Sequence, residues 1–176
     1  MNLNYTFKPK YIASVVGPNN KLMVTIKTYS EQYKSDFIRL NTEWIRTWFD
    51  LEESDLHTFA NIDSYIIGGG GQIFIAVDDG RGEAVGCCAL INHPEKASYE
   101  LAKMAVSPKA QGHHIGWRLG TALIDYARKI GARRIFLEGN TRLEASIHLY
   151  RKLGFKEIPL EGKRYERCDI LMELLL

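Results

Sequence analysis

Cysteine, proline and excess charge are all scarce in this chain. Its 176 residues include three cysteines and five prolines, and Lys plus Arg number 23 against 21 for Asp plus Glu, a formal charge of +2. Cys87, Cys88 and Cys168 form an odd set without framework spacing. That argues against a disulfide scaffold and for reduced thiols in a cytoplasmic setting. Cys87 and Cys88 are adjacent in a strand-like run, so their side chains are expected on opposite faces, buried as small hydrophobes. The near-balance of charge argues against a general nucleic-acid binder, which carries a basic excess. The longest uncharged run, 64–77, is shorter than the roughly 20 apolar residues of a membrane span and contains Gly68 to Gly71. No nucleic acid and no membrane is therefore expected as a partner. The first twenty residues are polar and hold Lys8, Pro9, Lys10, Gly17 and Pro18, without the apolar segment of a secretory signal. What remains is 45% apolar and 25% charged residues, the balance of one globular domain.

Residues 1–21 read as an N-terminal extension and 22–176 as a single domain. A strand is expected from Leu22 to Tyr29. Ser30 then reads as the N-cap of a helix with Tyr33, Phe37, Leu40, Trp44 and Trp48 at helical spacing. A short helix over Glu52 to Asn61 precedes the glycine run. Strands over Ile73–Val77 and Ala84–Ile91 flank the turn residues 78–82 (DDGRG). Ser98 to Val106 is the next strand, ended by Ser107-Pro108. The clearest helix runs from Ile115 to Lys129, where Ile115, Leu119, Ala122, Leu123, Tyr126 and Ala127 form one apolar stripe and Gly131 sits at the C-cap position. A strand over Arg133–Leu137 follows. Thr141 to Glu144 fits a capping box that opens a helix to about Lys152. Phe155–Ile158 and Asp169–Leu175 read as closing strands. The pattern is a mixed α/β (α+β) domain with a central sheet.

The chemically informative stretch joins the strand Glu100–Val106, the loop Gln111-Gly112-His113-His114-Ile115-Gly116 and the long helix. Such a junction aims backbone N–H groups and the positive helix end at one point, a natural phosphate site. Two loop glycines alone are equally compatible with a tight turn. With Asn140, Tyr150 and Leu153-Gly154-Phe155 following in order, the chain resembles the GNAT superfamily of N-acetyltransferases, whose pyrophosphate loop reads Gln/Arg-x-x-Gly-x-Gly/Ala. The resemblance covers about Ile73 to Ile158. It implies a mostly antiparallel central sheet flanked by helices, with a strand–loop–helix unit that binds coenzyme A. His114 stands where the family usually has glycine. Its loop is expected to keep a helix-compatible conformation with the imidazole pointing away.

The resemblance also implies roles. Acetyl-CoA is the expected co-substrate, with no metal. Loop residues Gln111, Gly112, His113, His114, Ile115 and Gly116 would meet the pyrophosphate. The main chain of Met104, Ala105 and Val106 would meet the pantetheine arm and the oxyanion, like an added strand. Asn140 would contact the pantetheine arm or cap the following helix. Tyr150 matches the acid that protonates the departing thiolate; otherwise it is one apolar-face residue with Leu143 and Ile147. Glu100 matches a general base in some members; otherwise it is a strand-edge carboxylate in an ion pair.

The acceptor is a small amine, an amino acid or a protein amine. Trp44, Trp48, Tyr165 and Arg167 are its candidate contacts, although aromatics at helical spacing also suit a core. The acidic cluster Glu52, Glu53, Asp55 suits a cationic amine or a solvated helix start, whereas Arg164 and Arg167 suit an acceptor carboxylate. The apolar tail Ile170–Met172 with Leu174–Leu176 suits either a final core strand or a homodimer contact. The rival to the enzyme reading is a non-catalytic acyl-CoA sensor on the same fold.

Overall fold

The computed structural model describes residues 22–160 and 165–176; the extension 1–21 and Arg164 lie outside the described residues. Seven strands form one sheet: β1 (Val24–Thr28), β2 (Gln72–Asp78), β3 (Ala84–His93), β4 (Ser98–Val106), β5 (Arg134–Gly139), β6 (Lys156–Ile158) and β7 (Ile170–Leu175). Their spatial order is β1-β2-β3-β4-β5-β7-β6. Every pairing is antiparallel except β4 with β5. The helices are α1 (Lys34–Trp48), α2 (Glu53–Ala60), α3 (Ile115–Lys129) and α4 (Glu144–Lys152).

Strand alternation divides the apolar side chains between two cores, one on each face. Leu101 and Cys88 join Ile115, Leu119 and Leu123 of α3. Ala102 and Cys87 join Phe37, Leu40 and Ile45 of α1. Fully burying each Leu or Ile contributes about 1.5–3 kcal/mol. The adjacent thiols point to opposite faces as expected, and all three cysteines are free and buried. The two faces thereby gain separate tasks: α3 and α4 cover one, and α1 with α2 covers the other.

Several local expectations change. Ser30 makes no side-chain cap, because a 3-10 turn over Glu31–Tyr33 intervenes before α1. A π turn over Ile62–Ile67 fills the span before the glycine run; there a Cβ on Gly71 would lie 2.2 Å from the Leu90 carbonyl oxygen. Thr141 does not cap α4, whose N-cap is Leu143. Its N–H and hydroxyl instead donate to the Asp169 carboxylate, each at 2.7 Å. That longer-range acceptor outcompetes the local box. The apolar tail is the interior strand β7, with Ile170, Leu171 and Met172 buried, so the core-strand alternative describes it. Gly131 does take a positive φ, 77°, after α3, as a C-cap glycine should.

Candidate active site

The cleft originates in the one parallel pairing. β4 and β5 pair only at Tyr99–Ile135 and Glu100–Phe136. Beyond Glu100 the strands diverge, and Leu101–Met104 of β4 and Glu138, Gly139 and the following Asn140 at the end of β5 become opposite walls of a cleft. Trp44 and Ile45 of α1 and Phe49 just beyond it roof the cleft, with Tyr150 from α4, and Tyr165 and Arg167 from the β6–β7 connection. On the other side of β4, Ser107 N–H donates to Val85 O of β3 at 2.8 Å. By alternation, Val106 and Met104 then turn main-chain groups away from β3 and toward the open side. The Val106 carbonyl there accepts a bond from Gln111 Nε2 at 3.4 Å.

Opposite Cys88 the register of β4 shifts, and Lys103 with Met104 occupies the place of one residue. Lys103 takes φ 53°, a left-handed conformation that costs a non-glycine residue about 1–2 kcal/mol. This bulge re-aims the strand at the cleft and sends the lysine side chain inward. Its Nζ bonds Asp55 Oδ1 and, at 3.0 Å, the Tyr165 hydroxyl. Arg167 completes the cluster with bonds to Asp55 at 2.8 and 2.9 Å and to Glu52 at 3.1 Å. Burial opposes ionisation of the fully buried Asp55, but the bonds from Arg167 and Lys103 together outweigh it and hold the carboxyl at about 2. At Lys103 burial dominates, holding the ammonium below its ordinary range despite Asp55. Glu52 and Asp55 are thus engaged rather than free to trap an amine, while Glu53 is an exposed residue of the helix start. Glu52 and Asp55 cap α2 reciprocally and anchor it to β4 and to the β6–β7 connection.

Glu100 sits on the cleft floor with 2% exposure. One carboxylate oxygen meets His93 Nε2 at 2.8 Å. That hydrogen bond, opposed by burial, raises His93 above its ordinary range. Tyr150 faces the cleft from α4, its ring packed edge-on against Phe155 at 6.2 Å. Burial pushes its phenol up to about 12, so it keeps its proton at neutral pH, as a donor must.

At the far end of β4, residues Pro108–Ala110 make a 3-10 turn before the loop. Gly112 takes φ 80°, and its missing Cβ has nothing within 4 Å. His114 takes φ 57° and ψ 22°. The expected helix-compatible conformation is therefore corrected: His114 occupies the left-handed region glycine would favour, and accepts its strain. The first bond of α3 runs from Arg118 N–H to His114 O. The N–H groups of Ile115, Gly116 and Trp117 thus open outward at the helix end. A Cβ on Gly116 would lie 2.9 Å from Leu149 Cδ2, so this glycine also lets α3 approach α4. The open strand edge, exposed loop and unsatisfied helix end fit an acyl-CoA: apolar and main-chain surface for the arm, N–H donors for phosphate.

Glu100, Met104, Asn140, Tyr150, Trp44, Tyr165 and Arg167 all line the cleft. Ala105 and Ile115 have side chains in the core, leaving only their main chain for a ligand. Asn140 holds loops: its amide donates to Arg167 O at 2.6 Å and its oxygen accepts from Arg142 N–H at 2.9 Å. Trp48 does not line the cleft and is 45% exposed. His93 and Lys103 were not anticipated. An ionisable residue inside an apolar strand was the available signal for Lys103; nothing local pairs His93 with Glu100.

Residues 30–155 match the model of the acetyltransferase (GNAT) family, and the chain belongs to that family. It is 28% identical over 149 residues to an N-acetyltransferase of Schizosaccharomyces pombe, covering 81% of this chain and 86% of that one. It is 38% identical over 76 residues to an IAA acetyltransferase of Azospirillum brasilense, covering 43% of this chain and 50% of that one. An N-alpha-acetyltransferase RimI of Mycobacterium tuberculosis is 37% identical over 67 residues, 38% of this chain and 40% of that protein. The chain thus spans half or less of the length of several curated relatives, and 20% of one mycobacterial protein. A Staphylococcus aureus GNAT acetyltransferase superposes with TM-score 0.76 at 20% identity, covering 86% of this chain and 98% of that one. A Sinorhizobium meliloti phosphinothricin acetyltransferase in complex with AcCoA superposes with TM-score 0.70 at 21% identity, covering 87% of this chain and 88% of that one. Among the described residues no helix is long and apolar enough to cross a membrane, and no cluster is arranged to hold a metal.

Proposed function

We propose that this chain is an acetyl-CoA-dependent N-acetyltransferase that acts on a primary amine of a small molecule, amino acid or protein by direct attack in a ternary complex. The carrying observation is the splayed β4–β5 junction, which sets Glu100 and Tyr150 in one cleft. Bound acetyl-CoA supplies the activated thioester. An amine is protonated at neutral pH and must lose a proton before attack. Glu100 takes it, since its residue lines the cleft and only one of its two oxygens meets His93. Main-chain N–H of Met104 on the open side of β4 is placed to stabilise negative charge developing on the acyl oxygen. Tyr150 gives its proton to the departing sulfur. Gln111 to Gly116 hold the pyrophosphate by oriented N–H groups, which explains how a chain of charge +2 binds a polyanion locally.

The test is coenzyme A release, followed with a thiol reagent against a panel of amines. Tyr150→Phe is expected to lower kcat by about 10²-fold with acetyl-CoA affinity retained. Unchanged turnover in that variant refutes the acid role. Cofactor binding without turnover on any amine refutes the enzyme reading and favours an acyl-CoA sensor.

A further inference from the structure

Glu100 presents a problem that its own burial creates. With acceptor and thioester filling the cleft, a proton taken by a carboxylate of 2% exposure has no direct route to water on that side. The other side of the carboxylate provides one. The β3–β4 register pairs Ile91 with Glu100 and His93 with Ser98, which places His93 and Glu100 diagonally on the same face. His93 Nε2 lies 2.8 Å from Glu100 Oε2, and His93 Nδ1 lies 3.2 Å from Glu95 Oε1. Side-chain exposure rises along this line from 2% at Glu100 through 12% at His93 to 62% at Glu95. The turn that joins β3 to β4 holds Glu95 in place, with Pro94 opening it and Ala97 closing it at φ 47°. The Phe136 ring of β5 packs 5.2 Å from the imidazole, and Lys96 Nζ lies 5.0 Å from the same ring.

We propose that Glu100, His93 and Glu95 form the proton exit of the acceptor site, carrying the proton of the acceptor ammonium from the cleft floor to solvent. The inference rests on the base role proposed for Glu100. Imidazole suits the middle position because it holds a proton on one ring nitrogen and releases one from the other. The groups facing it are Glu100 from β4, Glu95 from the turn and the Phe136 ring with Lys96 above it. The resting pair is a Glu100 carboxylate with a His93 imidazolium. The ammonium passes one proton to the free Glu100 oxygen. His93 then releases its Nδ1 proton to Glu95 and water, so one proton leaves and the net charge of the pair is restored. Rotation of the neutral imidazole then brings its bare nitrogen to Glu100, where it takes the carboxyl proton and re-forms the resting ion pair. His93 touches no reacting atom; it is a positioning residue that acts through Glu100.

Glutamine separates relay from scaffold. His93→Gln keeps an N–H donor for Glu100 but cannot accept and pass on a proton. Steady-state kinetics of the whole chain with acetyl-CoA and its most reactive panel amine are expected to show kcat lowered by about 10-fold or more. The KM for acetyl-CoA stays unchanged, and added imidazole restores part of kcat. Native kcat in His93→Gln, with Glu100→Gln impaired, overturns the exit alone. Native kcat in Glu100→Gln overturns the base reading itself. Should His93→Gln fail to fold, Glu95→Gln, altered at an exposed side chain, decides the matter. A kcat that is lowered and rises with buffer concentration supports the exit, whereas native kcat independent of buffer overturns it.

Discussion

Replacing Asp55 with asparagine removes one carboxylate and strands two cations. Asp55 is fully buried, the Lys103 side chain is 3% exposed and the Arg167 side chain 16%. Neither cation can turn to water without moving α2, the β4 bulge or the β6–β7 connection. Breaking such a pair from one side costs about 3–5 kcal/mol, a large part of the roughly 5–15 kcal/mol that holds a domain folded. At about 2–4 °C per kcal/mol for a fold of this size, the melting temperature of Asp55→Asn should fall by about 10 °C at pH 7. The pH dependence has a definite sign. The carboxyl ionises at about 2 in the fold against 3.8 as a free group, so ionised Asp55 contributes about 2 kcal/mol. That contribution is fully present above pH 4 and is lost as pH falls from about 4 toward 2. Circular-dichroism melts of native chain and variant from pH 2 to 7 measure both effects. The gap between their melting temperatures should narrow as pH falls through that window. An Asp55→Asn variant that melts with the native chain at pH 7 refutes the account of the cluster as a charge-paired anchor. The double change Asp55→Leu with Lys103→Met should regain part of the loss, because two buried charges leave together.

His114→Gly should relieve the left-handed strain at the loop and, after the flexibility glycine adds to the unfolded chain, raise the melting temperature by about 2 °C; a fall would show that the imidazole contributes contacts of its own. Gly71→Ala should cost about 2 kcal/mol in urea unfolding, since its Cβ would meet the Leu90 and Ile66 carbonyl oxygens at 2.2 and 2.8 Å; unchanged stability would mean that the π turn shifts freely. Cys87 and Cys88 should resist thiol reagents in the native chain, because burial pushes Cys87 up to about 12 and Cys88 also upward; rapid labelling would contradict the packing of β3.

The strand–loop–helix unit was legible because it is local. The apolar stripe of α3, the Ser107-Pro108 break and the Gly131 C-cap each act within a few residues. Tyr150 and Glu100 could be placed in the cleft through the order of motifs around them. Three features were not legible, and all depend on partners distant in sequence. Lys103 bulges toward Asp55, 48 residues away. Thr141 abandons its capping box for Asp169, 28 residues on. Glu52 and Asp55, which cap α2, also become an anchor because Lys103 and Arg167 arrive from β4 and the β6–β7 connection. His114 shows the converse: a local preference for right-handed backbone overridden by the path of the loop into α3. Trp48 falls at the last position of α1 and stays outside the cleft, whereas Trp44 one turn earlier and Phe49 at the next position line it.

The central claim is acetyl transfer from acetyl-CoA within the β4–β5 cleft. Its most direct measurement combines calorimetric titration of the whole chain with acetyl-CoA and mass spectrometry of an amine panel incubated with both. Saturable binding below millimolar ligand and an amine that gains one acetyl group as coenzyme A is released are predicted, with the transfer lost in Glu100→Gln. No acetyl-CoA binding at millimolar ligand, or binding with every amine left unmodified, contradicts it.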